Sequence, residues 1–140
     1  MIIDSNILVY SIDKFSIKHK TAQKFLQDNI GHLEVTHQNI FETLRVITHP
    51  KLPNPMKLGD AVNTMERILK ACSIVSPNWN THNIALELIK KYRLSSDLVF
   101  DAYLTATALS NHINIIATDN VKDFKKFKEL KVINPFDKIN

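Results

Sequence analysis

The chain opens Met1-Ile2-Ile3-Asp4-Ser5-Asn6, an apolar run that stops dead on an acid. The run is too short for a stable helix, and its β-branched isoleucines fit a buried central strand. A buried strand that ends in Asp4 delivers a carboxylate to the carboxyl edge of a sheet, where open α/β sheets bind ligands. Asp-Ser-Asn is also good turn and N-cap chemistry, so Asp4 has a second, purely structural reading as a helix cap. The other acids decide between the two.

A second run of the same kind, Asn114-Ile115-Ile116-Ala117-Thr118, also meets an acid, Asp119. Between the two runs, segments of helical and strand character alternate. The stretch Ile7 to Ile12 is apolar and leads into Asp13-Lys14. Ala22, Phe25 and Leu26 mark a helix from about His19 to Gln27, stopped by Gly31. Leu33-Glu34-Val35 is a short strand. Thr36 or His37 opens a helix to about Thr48, with Ile40, Phe41, Leu44 and Ile47 as its buried stripe. After the loop of Pro50, Pro53 and Pro55, a helix spans about Leu58 to Ala71 on Ala61, Val62, Met65, Ile68 and Leu69. Ser73-Ile74-Val75 is a strand, Thr81 to Tyr92 a helix, and Ser95 or Ser96 caps a further helix to about Asn111. Leu130 to Ile133 forms a last edge strand. This alternation predicts an α/β fold, a parallel sheet with helices on both faces. No repeat, low-complexity tract or linker interrupts it, so one domain over 1–140 is expected.

Composition excludes several functions. Gly31 and Gly59 are the only glycines, which rules out a Gly-rich phosphate loop. Cys72 stands alone, so neither an intrachain disulfide nor a thiolate metal cluster can form, and a reducing, cytoplasmic setting is expected. No run reaches the roughly 18 apolar residues of a membrane span, and no basic segment precedes an apolar one as in a signal peptide. The net charge of +4 is compatible with nucleic acid.

The acids carry the chemistry. Asp4 and Asp119 end two buried-type strands and would share one sheet edge. Asp101 lies within the apolar stripe Phe100, Leu104 and Ala108, with Asp97 one turn earlier on the same face. A core-facing carboxylate needs a partner or a metal; the partner reading has only Arg45, Arg67 and Arg93 to draw on. Glu42 falls beside Asn39 and His49, away from its helix's stripe, and taken alone reads as a solvated glutamate. If these acids converge, two carboxylates about 4 Å apart repel by roughly 4 kcal/mol at an effective dielectric near 20. Three or four then require a cation, and oxygen ligands without thiolate select Mg²⁺ or Mn²⁺. Such a site can activate water against a phosphodiester.

Asp4-Ser5-Asn6, Asn39-Ile40-Phe41-Glu42, Phe100-Asp101-Ala102 and Thr118-Asp119-Asn120 with Asp123-Phe124 resemble, in that order, the motifs of PIN-domain nucleases. The best match is to VapC-type toxins of bacterial toxin–antitoxin pairs, which Arg45 to Pro50, Asp123 to Phe127 and Asn134-Pro135 also resemble. The resemblance covers essentially the whole chain. It implies a PIN-like three-layer α/β/α sandwich with a mostly parallel central sheet, and a Mg²⁺- or Mn²⁺-dependent endoribonuclease. Asp4, Glu42, Asp101 and Asp119 would form the acidic constellation, with Asp4, Asp101 and Asp119 as the metal ligands and Glu42, Asp97 and Asp123 as further candidates. Asn6, Thr118 and Asn120 would support them. A cognate antitoxin and a homodimer are implied as well. Asp119, Asn120 and Asp123 compete for the last acidic position because Asn120-Val121-Lys122 intervene before the Asp-Phe pair; Asp119 is preferred.

Lys122, Lys125 and Lys126 either form a solvated face or hold RNA phosphates nonspecifically beside the pocket. The six histidines show no metal-ligand spacing, and surface or capping roles are expected of them. Tyr103 is expected in the core. Two other functional classes stay open. An aspartyl-phosphate phosphatase would want a second acid where Asn6 stands, and an inert PIN module would bind RNA or a partner without cutting.

Overall fold

The computed structural model describes residues 1–137. Its strands are β1 (Ile2–Ile3), β2 (Glu34–Thr36), β3 (Ser73–Val75), β4 (Ile115–Ala117) and β5 (Lys131–Ile133). The helices are α1 (Ser5–Ile12), α2 (His19–Asp28), α3 (His37–Ile47), α4 (Leu58–Leu69), α5 (Thr81–Tyr92), α6 (Leu98–Ser110) and α7 (Val121–Phe124). The strands form one sheet in the order β3-β2-β1-β4-β5, and every pairing is parallel. The chain builds outward from β1 through β2 to β3, then returns to the other side of β1 with β4. The crevice beyond the carboxyl ends of β1 and β4 is therefore the topological switch point, where such sheets bind ligands.

Side chains alternate across a strand, and the two central strands use that alternation to build two cores. Ile2 and Ile116 face one way, into a cluster with Ala85, Leu88, Ala102, Leu104, Phe124 and Phe127. Ile3 and Ala117 face the other, toward Ile7, Leu8, Ala22, Ile40, Met65 and Phe136. Helices α5, α6 and α7 thus cover one face, and α1 to α4 the other, giving the expected three-layer sandwich. Ile2 and Ile3 are both fully buried, the reason such a short strand can be apolar at every position.

Local signals place most boundaries. Asp4 is the N-cap of α1, its Oδ1 accepting from the Ser5 N–H at 2.7 Å. Thr36 and Asn39 form a reciprocal capping box at the start of α3. Gly31 ends the turn after α2 at φ +91°, a conformation costly for a residue with a side chain.

Several expectations need correction. The apolar run from Ile7 to Ile12 is most of α1, an element that the period did not mark. Phe41, Val62 and Phe100 belong to apolar stripes yet lie exposed, and Tyr103 is partly exposed rather than core. Helix α6 is apolar on nearly every side, so periodicity selects no face. Its small residues Ala102, Thr105, Ala106 and Thr107 take the buried side, allowing close approach to neighbours. Neither Ser95 nor Ser96 caps α6: Asp97 occupies the N-cap, without a side-chain capping bond, and Ser96 sits at φ +54°.

Candidate acidic site

Asp4 lies at the switch point and is 6% exposed. The capping role and the site role coincide in this one residue. Its Oδ1 faces the first turn of α1, where the helix dipole favours negative charge. Its Oδ2 accepts from the Thr118 hydroxyl at 2.6 Å and from Asn6 Nδ2 at 2.7 Å. Burial nevertheless raises the carboxyl above its ordinary value; hydrogen bonds from Thr118 and Ser5 pull it down, and the Glu42 charge adds to the rise. A buried acid so heavily hydrogen-bonded, yet still held against ionisation, invites a positive charge.

Thr118 follows β4 as Asp4 follows β1, and it is fully buried. Besides donating to Asp4, its hydroxyl accepts from Asn6 Nδ2 at 3.1 Å and from the Asn120 N–H at 2.9 Å. Asn6 Oδ1 accepts from the Asp119 N–H at 3.1 Å, so one side chain ties the two strand ends together. Asn120 Nδ2 in turn donates to Asp123 Oδ2 at 2.7 Å. The polar residues expected to support the site are therefore joined in one chain of hydrogen bonds from Asp4 to Asp123.

Glu42 comes from α3 on the opposite flank. Ser5 Oγ donates to Glu42 Oε2 at 3.1 Å and lies 3.4 Å from Asp4 Oδ1, and Gln38 Nε2 donates to Glu42 Oε1 at 2.9 Å. Sequence reasoning assigned neither Ser5 nor Gln38 this role. Ser5 adjoins Asp4, and Gln38 stands one turn before Glu42, so both were within reach of a helical-spacing argument.

Asp101, in the first turn of α6, is raised to about 6. Burial contributes most, then the charges of Asp123 and Asp4; Lys126 opposes them, and Glu42 adds a smaller push. The charges of Asp123, Asp4 and Glu42, from α7, the end of β1 and α3, thus all bear on Asp101. Among the described residues no arginine pairs with Asp101. Asp97 is exposed at the head of α6, and its charge is not among those bearing most on Asp101.

Asp119 goes elsewhere. Its Oδ2 pairs with Lys18 Nζ at 2.5 Å and accepts from the Tyr10 hydroxyl at 3.0 Å. The sequence offers no signal for Lys18 or Tyr10, which lie more than a hundred residues from Asp119. Of the lysines, Lys126 has a charge that favours the Asp101 carboxylate, while Lys122 and Lys125 are exposed and form no ion pair among the described residues.

Among the described residues no three histidine, cysteine or acidic side chains converge closely enough to enclose an ion. The donors on offer are nonetheless all oxygens, and burial together with the neighbouring acids opposes ionisation of Asp101. That set suits a hard cation that keeps part of its water shell and takes one or two carboxylates directly, as Mg²⁺ does. A cleft of about 1060 Å³ lies away from these acids, between α1, α2 and α4, lined among others by His19, Gln23, Asp60 and Arg67. Among the described residues no helix is long and apolar enough to cross a membrane.

The family model described as PIN domain matches residues 1–130. Ribonuclease VapC37 of Mycobacterium tuberculosis (strain ATCC 25618 / H37Rv) is 26% identical over 143 residues, covering 96% of each chain. Among solved structures, VapBC2 from Rickettsia felis bound to a DNA fragment from their promoter aligns over 95% of this chain and 96% of that one, at 17% identity and a TM-score of 0.73. A toxin–antitoxin complex from Klebsiella pneumoniae aligns over 96% of each chain, at 18% identity and a TM-score of 0.65.

Proposed function

This chain belongs to the PIN-domain family, and from that premise we propose that it is an endoribonuclease, the toxin of a toxin–antitoxin pair, hydrolysing RNA phosphodiesters at a Mg²⁺ or Mn²⁺ site. The observation that carries the reading is that Ser5 joins Glu42 to Asp4 at the sheet's switch point, while Asp101 is raised to about 6, by burial first and then by the charges of Asp123, Asp4 and Glu42. When bound, the divalent ion supplies Lewis-acid activation of water and neutralises charge on the phosphodiester. Asp4 and Asp101 would hold it directly, and Glu42 and Asp123 would complete the acidic surround. Asn6 and Thr118 keep the Asp4 carboxylate turned to the site, and Asn120 does the same for Asp123. The sequence favoured Asp119 for the last acidic place; because its carboxylate engages Lys18 and Tyr10, Asp123 is the better candidate. Lys126, with Lys122 and Lys125 outside it, would receive RNA phosphates. The similarity to a ribonuclease and to a toxin–antitoxin complex supports the substrate and an antitoxin partner; a homodimer and a cytoplasmic location belong to the same reading.

The phosphatase alternative is weakened by the burial of Asp4 and by Asn6, which donates to it where a general acid would be needed. The deciding experiment incubates the purified protein, freed of any co-purifying partner, with Mn²⁺ and a mixed RNA pool. Cleavage that EDTA stops and that Asp101→Asn removes is the expected result. RNA binding without cleavage would leave the inert-module reading standing instead.

A further inference from the structure

Asp119 is only partly buried, yet its partners come from two separate parts of the chain, α1 and the residue just before α2. Lys18, just before α2, reaches its carboxylate at 2.5 Å, and Tyr10 from α1 donates to the same oxygen at 3.0 Å. The Lys18 ammonium stands 5.0 Å from the ring centroids of both Tyr10 and Phe136. Those rings meet edge to face, 5.4 Å apart at 86°. An exposed ion pair alone fixes little. Here the cation also rests against two aromatic faces, which add their own attraction and hold the stem, and Phe136 itself is buried.

The restraint has a route to the acids. The Asp119 N–H donates to Asn6 Oδ1 at 3.1 Å, and Asn6 Nδ2 donates to Asp4 Oδ2 at 2.7 Å and to Thr118 Oγ1 at 3.1 Å. The carboxylate and the N–H belong to one residue, so holding the first limits where the second can point. We infer that Asp119 is a positioning residue, clamped by Lys18 and Tyr10, which sets the orientation of Asn6 and through it the Asp4 carboxylate. The inference rests on the nuclease reading for its effect on rate, though not for its structural half.

The test uses the full chain and the variants Lys18→Met, Lys18→Arg, Tyr10→Phe, Asp119→Asn and Lys18→Met/Asp119→Asn, all assayed well below their unfolding midpoints. Loosening a catalytic carboxylate by a fraction of an ångström should lower kcat about tenfold in Lys18→Met, with KM for RNA unchanged. Lys18→Arg should recover most of the loss, and the double variant should be no worse than Asp119→Asn alone, as for partners in one interaction. Affinity for Mn²⁺ alone should change less than about threefold in Asp119→Asn, against more than about tenfold in Asp101→Asn. Independently of activity, the Asn6 side-chain amide should exchange its protons faster in Lys18→Met but not in Asp101→Asn, read by NMR. An unaltered Asn6 amide in Lys18→Met overturns the clamp. So does a loss of Mn²⁺ affinity in Asp119→Asn equal to that in Asp101→Asn, because Asp119 would then be a ligand itself. If the wild-type protein cuts no RNA and Asp101→Asn binds Mn²⁺ as the wild type does, the nuclease reading fails, and the Asn6 amide still decides the clamp.

Discussion

The ends of β1 and β4 look alike in sequence and behave oppositely in space. Both strands are short, apolar and buried, they are parallel neighbours, and each is followed closely by an acid. Their register pairs Ile2 with Ile116 and Ile3 with Ala117. The next residues in step are Asp4 and Thr118, and the Thr118 hydroxyl indeed meets the Asp4 carboxylate at 2.6 Å. Asp119 comes one residue later, in a bend beyond the strand, and there its carboxylate finds Tyr10 and Lys18 rather than the other acids. Counting residues from the strand end therefore tells more than noting that an acid is near it.

The sharpest way to break this comparison is to remove an acid from the cluster. Asp101→Asn, or Asp4→Asn, should lower RNA cleavage by roughly 100-fold or more, equivalent to about 2.7 kcal/mol of transition-state stabilisation. Single-turnover cleavage at saturating Mn²⁺ measures it, and an Asp101→Asn variant that cuts at the wild-type rate would refute the site. Thr118→Val keeps the shape of the residue opposite Asp4 while leaving Asp4, Asn6 and the Asn120 N–H short of a partner. A loss of about 2 kcal/mol in urea unfolding is expected, since buried polar groups are left unsatisfied. The two candidates for the last acidic place are then compared directly: Asp123→Asn should cost about tenfold more activity than Asp119→Asn, or about 1.4 kcal/mol. The reverse order would return Asp119 to the ligand set.

The smallest effect concerns pH. Asp101 is raised in the folded protein from 3.8 to about 6. The native state thus holds its proton where the unfolded chain has released it, so the ion-free protein loses stability as pH climbs from about 4 through about 6. A fully shielded carboxyl would contribute about 3 kcal/mol; with Asp101 only partly buried, about 1 kcal/mol is expected. Urea midpoints of EDTA-treated protein at pH 4 and pH 7 should show the decline. Asp101→Asn should flatten Asp101's part of it and leave that protein more stable than the wild type at pH 7, because the repulsion from Asp123 and Asp4 is gone. A decline no smaller in Asp101→Asn would assign it to other groups.

Much of the fold was legible because its signals are local. The β-branched runs at Ile2-Ile3 and Ile115-Ile116, the Thr36 cap, the Gly31 stop and the helices at 58–69 and 81–92 follow from residue type and spacing. The α6 face was not legible, since a helix apolar on nearly every side leaves the choice to its neighbours. For the same reason Phe100 and Tyr103, which the apolar pattern assigns to the core, lie largely and partly exposed. The site divides similarly. Asp4 and Asp101 could be singled out from their places on a strand and a helix, whereas Asn6 and Thr118 entered only through the family resemblance. The competition between Asp119 and Asp123 could not be resolved, because it depends on where the bend after β4 and the short helix α7 send each side chain.

The sequence by itself determined the alternating strands and helices, and hence a parallel sheet with an acid at its carboxyl edge; these depend on interactions within a few residues. Only the tertiary structure decided which acids keep company. That outcome rests on strand register and on partners such as Lys18 and Tyr10 with Asp119, groups separated by a hundred residues whose meeting no local pattern encodes.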